Sequence, residues 1–217
     1  GTGTRVVGNY IGVDPGAALD RGNSVDGMLV YASGVIVGGA SPGEGNLIAG
    51  NTSDGMEISG AGATNNLVLG NTIGGVAGAP NSGNGILITG GAHNNVIGGL
   101  ESGAANLIAF NTQVGISVAA AAANTNNAFR ANLIHSNGGI GINLGAAGVT
   151  PNDAGDADTG ANRQQNFPVL TVATNLNSGA VIEGSLSSTP NTPFELDLYA
   201  SVLFDPTGHG EGEFYLG

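Results

Sequence analysis

The sequence predicts an all-β protein in two parts: a stack of short coils over residues 1–149, then an antiparallel β-sandwich-like module over 167–217, joined by an acidic segment at 150–166. Three observations predict it. The first part repeats: Gly45-Asn46-Leu47-Ile48-Ala49-Gly50-Asn51 lies over Ala105-Asn106-Leu107-Ile108-Ala109-Phe110-Asn111 at an offset of 60, and the same offset lays Gly55-Met56-Glu57-Ile58 over Gly115-Ile116-Ser117-Val118. Apolar runs are only two to five residues long, too short for helices. After Gly148 these runs give way to longer alternating segments.

Each element follows from local chemistry. Met56/Ile58, Ile86/Ile88, Ile116/Val118 and Ile140/Ile142 alternate with period two, so each pair shares one side of a strand while Glu57, Leu87, Ser117 and Gly141 face away. Six runs per repeat predict two coils of three strands, each near 30 residues. Stacking then sets like on like about 4.8 Å apart. Asn9, Asn51, Asn71, Asn111 and Asn132 fall at coil corners. There a side-chain amide, with its donor and its acceptor, can bond along the stack, and asparagine tolerates a left-handed backbone. Asp14–Asp26 and Gly75–Asn84 read as protruding loops, the usual place for a solenoid's binding face. In the second part, Phe167–Ala173, Ala180–Ser185, Phe194–Ser201 and Glu213–Leu216 read as strands separated by Asn-, Gly- and Pro-rich turns.

Composition narrows the function. Glycine supplies 41 of 217 residues, about 19% against a usual ~7%, and it serves the tight turns between strands. The net charge is −12, and the four basic residues, Arg5, Arg21, Arg130 and Arg163, are scattered. That excludes the clustered basic surface nucleic acid requires. Cysteine is absent, which excludes a disulfide scaffold and thiolate metal sites. No apolar run approaches the ~18 residues of a membrane span.

The pattern Asn-x-Ile-x-Gly-Asn followed by Gly-Ile-x-Ile, best carried by Asn46–Asn51 with Gly55–Ile58 and by Asn106–Asn111 with Gly115–Val118, resembles the right-handed parallel β-helix (pectate-lyase-like) repeats of bacterial surface and secreted proteins. Asn152-Asp153-Ala154-Gly155-Asp156-Ala157-Asp158-Thr159-Gly160 with Gln165–Leu170 is similar to the segment that ends such arrays in multidomain exported proteins. The resemblance implies a right-handed parallel β-helix and an extracellular or cell-surface setting. It leaves function open, because one fold serves many activities.

Catalytic sets of that fold are not assembled here. No arginine lies near an acidic cluster in the repeats, as a calcium-dependent lyase would need. Asn51-Thr52-Ser53-Asp54 is not the Asn-Thr-Asp of the polygalacturonase-like hydrolases, and Gly208-His209-Gly210 matches their Gly-His-Gly only in letters and outside the coils. Glycoside cleavage needs paired carboxylates, and pairing Glu57 with Asp54 has no support in the sequence. The reading therefore leans against an enzyme and assigns no catalytic residue. Asp153, Asp156 and Asp158, with Asn152, Thr159 and Asn162 nearby, offer hard oxygen ligands, and calcium takes six to eight of these; a metal there is expected to stiffen the joint. His93 and His135 read as isolated corner residues, Asn51 as a corner rather than a glycosylation site, and Tyr10 with Tyr31 as a candidate sugar platform.

The expected function is a structural or adhesive extracellular β-helix protein, with both ends of the stack presenting unpaired edges and head-to-tail contact between them giving a filament. The alternative expectation is a carbohydrate-active lyase or hydrolase, or a glycan-binding module, with cell-surface glycans as partners.

Overall fold

A computed structural model describes residues 3–16, 21–75, 78–176, 179–203 and 208–217. The expected loops at 14–26 and 75–84, and the turn at 175–179, therefore lie partly outside the described residues. In chain order the stack contains β1 (Arg5–Val6), β2 (Tyr10–Ile11), β3 (Met28–Val30), β4 (Ile36–Gly38), β5 (Leu47–Ile48), β6 (Met56–Ser59), β7 (Leu67–Leu69), β8 (Thr72–Gly74), β9 (Ile86–Thr89), β10 (Val96–Gly98), β11 (Leu107–Ala109), β12 (Ile116–Val118), β13 (Ala128–Arg130), β14 (Leu133–His135) and β15 (Ile142–Leu144). Every third strand pairs in parallel, giving three five-stranded sheets: β1-β4-β7-β10-β13, β2-β5-β8-β11-β14 and β3-β6-β9-β12-β15. This is a parallel β-solenoid with three strands per coil, as the repeat predicts. The runs at β8 and β13 carry a single large apolar residue each among polar or small neighbours, which is why their pattern does not announce a strand.

Register turns the repeat into a core. Met28, Met56, Ile86, Ile116 and Ile142 stack in one column. Ile11, Ile48, Ile73, Ile108 and Ile134 form a second, and Val6, Val37, Val68, Ile97 and Phe129 a third. Ile48, Met56, Ile58, Ile73, Ile86 and Ile108 have no exposed surface, each contributing about 1.5–3 kcal/mol over an exposed position. At the last coil Ile142 keeps the register but is 41% exposed, because no coil lies above it.

The corner asparagines form not one column but several. Asn9, Asn46, Asn71, Asn106 and Asn132 make one ladder, each Nδ2 donating to the next Oδ1 at 2.8–3.0 Å. Asn23, Asn51, Asn81, Asn111 and Asn137 make another at 2.8–3.0 Å. Asn66, Asn95 and Asn127 form a third corner, where backbone N–H groups also donate to the amide oxygens. Most rungs also donate to a backbone carbonyl of the preceding coil, as Asn81 does to Ile48 and Asn106 to Val68. Buried carbonyls left by the turns are thereby satisfied. In the three corners of the coils the left-handed backbone falls on preceding neighbours such as Asn65, Asn94, Asn126, Phe110 and Ala131, not on the coil asparagines that carry the amide bonds. Gly38 and Gly98 turn out of their strands at φ +81°, where a Cβ would strike the next coil's backbone carbonyl and the ladder amide.

The segment 150–166 contains no strand, as expected, but is not a free linker. It includes a tight turn, Ala161–Gln164, in which Asn162, Arg163 and Gln164 take left-handed backbone and Ala161 is buried against the solenoid core. Beyond it, β16 (Val169–Leu176) pairs antiparallel with β17 (Gly179–Ser185), and β18 (Tyr199–Ala200) with β19 (Phe214–Tyr215). The expected strand at 194–201 shrinks to its last residues. The expected terminal strand at 213–216 narrows to Phe214–Tyr215 and pairs with β18.

The expectation of two bare coil ends does not hold at the last coil. Among the described residues no strand pairs with the outer edge of β1, β2 or β3. The other end is covered by the chain's own C-terminal residues. Ile134 N–H donates to Gly212 O at 2.8 Å. Asn137 Nδ2 donates to Glu211 Oε1 at 3.1 Å, and Arg130 Nη2 binds Asp197 Oδ1 at 3.0 Å.

Candidate metal centre at the joint

The solenoid meets the C-terminal module at residues 152–166, and the three aspartates singled out in the sequence converge there. One carboxylate oxygen from each of Asp153, Asp156 and Asp158 lies within 4.8 Å of the others, and all three residues are half-buried. The loop closes on itself because Gly155 and Asp156 adopt left-handed backbone, φ 76° and 57°. Asp153 Oδ2 then accepts from Ala157 N–H at 3.1 Å.

Asn166 holds the loop in place. Its side chain is buried; its Oδ1 accepts from Asp153 N–H at 3.0 Å, and its Nδ2 donates to Asp153 O at 2.8 Å and to Ser187 O at 2.7 Å. Asn166 N–H donates to Asp156 Oδ1 at 2.9 Å, and Ser188 Oγ donates to Asp156 Oδ2. The module and the loop therefore fix Asp156 together. Asn152 and Asn162, counted as possible ligands from sequence, are engaged elsewhere. Asn152 exchanges bonds with the Phe167 backbone, and Asn162 Oδ1 accepts from Asn127 N–H at 2.8 Å, continuing the third asparagine corner.

The electrostatics of the cluster favour a cation. Asp158 Oδ1 is buried without a hydrogen-bond partner. Burial, and then the charges of Asp153 and Asp156, raise the Asp158 pKa above the usual carboxylate range. A divalent ion bound to the three oxygens would relieve both costs. Three carboxylates cover part of calcium's six to eight oxygens, the rest being open to backbone carbonyls and water.

The remaining sequence candidates are dispersed. Asn51 is fully buried in its ladder, which closes its sequon to glycosylation in the folded protein. Asp54 is a rung in a mixed column: Asp26 Oδ1 accepts from Asp54 N–H, and Asp54 Oδ1 accepts from Asn84 Nδ2 at 2.9 Å. Burial raises the Asp54 pKa, and burial followed by hydrogen bonding to Asp26 raises that of Glu57. Glu44 pairs with Arg5 at 2.9 Å. His93 Nδ1 contacts Gly91 O, His135 packs edge-on to Phe110, and His209 packs edge-on to Phe167 at 5.0 Å. Tyr10 lies in the second sheet and Tyr31 follows a strand of the third, so they do not share a platform.

Sequence reading missed Asn166 and Ser188, which position the aspartates, and Arg130 with Asp197, which clamp the module. Arg130 reaches Asp197 across 67 positions, a distance at which no spacing motif operates. No helix among the described residues is long and apolar enough to cross a membrane. No protein-family model, curated protein or solved structure matches this chain.

Proposed function

We propose that this chain is a structural module of an extracellular or cell-surface protein, a right-handed β-helix of the bacterial pectate-lyase-like kind that serves as a rigid spacer or adhesive segment. The observation that carries the reading is continuity. Aliphatic columns and two five-membered asparagine ladders run from the first coil to the last without interruption, so every coil is held to the next by backbone, side-chain and core contacts at once. Calcium at Asp153, Asp156 and Asp158 locks the joint, fixing the angle between solenoid and module.

Limited proteolysis in calcium and in chelator tests this. The coils should resist cleavage in both, while residues 152–166 become protected only in calcium. Cleavage through the coils as readily as through the joint would overturn the rigid-spacer reading.

A glycan-binding role has one observation behind it: Tyr10 is 52% exposed and lines a groove with Pro42, Gly43, Leu47 and Thr72. A glycan array with wild type and Tyr10→Ala tests it; signal lost in the variant would support this role, and no signal for either would dismiss it.

A further inference from the structure

We infer that the cavity between the last coil and the C-terminal module is a binding site for a small organic cation with an apolar body, an alkyl- or arylammonium. The inference goes beyond the structural role above and does not depend on the metal at the joint.

The space follows from how the core columns end. They stop at Phe129, Ile134 and Ile142, and the module does not continue them. Phe167 and Tyr199 of the module line, with these cut ends, a cavity of about 380 Å³, within the ~300–1,000 Å³ of small-molecule sites. Much of the chain that could fill it is glycine. Gly141, Gly148, Gly210 and Gly212 lie on the wall, and a Cβ at Gly148 would meet nothing within 4 Å. Ile142 and Val149, both on the wall, are 41% and 36% exposed, so the space is reached from solvent. Water is a poor occupant of its apolar side. An ordered water needs about two to four polar partners, and Phe129, Ile134, Ile142 and Leu144 offer none from their side chains. Displacing such water with an apolar group gains affinity.

The wall selects the charge of the occupant. Neither lysine nor arginine lines the cavity, and Glu211 is its one carboxylate. Asn137 N–H and Nδ2 donate to Glu211 Oε1 at 3.4 and 3.1 Å, which fixes the group in place. Among the described residues no cation pairs with it, and its Oε2 accepts no bond. The other donors of the wall are spent or neutral. Asn132 Nδ2 donates to Ile97 O at 2.8 Å and Thr150 Oγ1 to Leu144 O at 2.9 Å. His209 is engaged edge-on with Phe167. Burial, and then the charge of Asp197, pushes the Tyr199 hydroxyl up to about 12, so it stays uncharged.

An anion in this space would meet Glu211 with no cation to offset it. A neutral apolar molecule would take water from the carboxylate and return nothing. An ammonium group supplies a charge-assisted bond to Glu211, and the rings of Phe129, Phe167 and Tyr199 attract a cation to their faces. The net charge of −12 raises the local concentration of cations.

Three probes of matched shape test this on the full chain at about pH 8: phenylbutylamine, protonated there, neutral phenylbutanol and anionic phenylbutyrate. Isothermal titration calorimetry reads affinity, and the methyl resonances of Ile134 and Ile142 read position. The amine should saturate the protein, move both methyls and bind about tenfold tighter than the alcohol; the acid should not bind. Glu211→Gln keeps an oxygen for Asn137 and removes the charge. It should weaken the amine about tenfold and leave the alcohol unchanged. Ile142→Trp, with wild-type circular dichroism, should exclude both. Equal affinity for the three probes would overturn the inference. So would amine binding that Glu211→Gln leaves unchanged, binding that moves neither methyl, or an amine that never saturates the protein.

Discussion

The solenoid and the C-terminal module have similar apolar content but dispose of it differently. In the coils Ile58, Ile73 and Ile108 are wholly buried; in the module Val202 and Leu203 are 73% and 81% exposed. A coil hides its apolar residues because three sheets face a common axis and register places each residue on its equivalent. A two-stranded sheet has two faces and no interior, and is marginal by itself. The module holds its position mainly through polar contacts with the last coil. Stability should therefore be lost in two steps, module before coils.

Core substitution breaks this contrast most strongly. Ile86→Ala should cost about 4 kcal/mol, while Val202→Ala should change stability by less than about 0.5 kcal/mol; urea unfolding of both variants compares them directly. A comparable loss at both positions would mean the module has a core of its own. Next in size, Asn81→Leu removes the partner of Asn51 and strands buried backbone and amide groups, for an expected loss of about 3 kcal/mol. The same melts measure it. At the joint, Asp197→Ala removes the charged bonds to Arg130 and the bond to Ala131 N–H. It should cost about 2 kcal/mol, confined to the first transition, with the coil transition unmoved.

Acid should sharpen the comparison. Burial pushes the Asp197 pKa up, but the Arg130 and Ala131 bonds outweigh it and hold the carboxyl below its usual value. A lowered folded pKa means stability that is present above the unfolded value and is lost as pH falls through the folded one. Asp54 in the coils has the opposite sign: burial raises its pKa, so its contribution is complete below the unfolded pKa and fades as pH rises through the folded one. Below about pH 4 the module should loosen while the coils hold. Near- and far-ultraviolet circular dichroism across that range reads the two parts, and simultaneous loss of both signals would contradict the scheme.

The coils were the legible part of the sequence. Period-two pairs such as Ile86/Ile88 and the repeated Asn-Leu-Ile-Ala carry their own register, because a solenoid contacts mainly its neighbours. The ladder at Asn51 and Asn111 was visible for the same reason. Its division into separate corners was not, since offsets near 60 align alternate coils and pass over the intervening rungs, Asn81 among them. The aspartates of the joint were legible from their spacing alone. Their positioning by Asn166 and Ser188, and the capping by Glu211, Asp197 and Asn162, depend on how the chain folds back over the last coil, which local pattern does not encode.

Hydrogen–deuterium exchange of the full chain, with and without calcium, tests the central claim most directly. Calcium should slow exchange at residues 153–158 and at the Asn166 amide and leave the coil amides unchanged. Ligand present at 100 times its dissociation constant would stabilise that segment by about 2.7 kcal/mol. Asp156→Asn with Asp158→Asn should abolish the effect. Exchange at the joint that is indifferent to calcium would contradict the account.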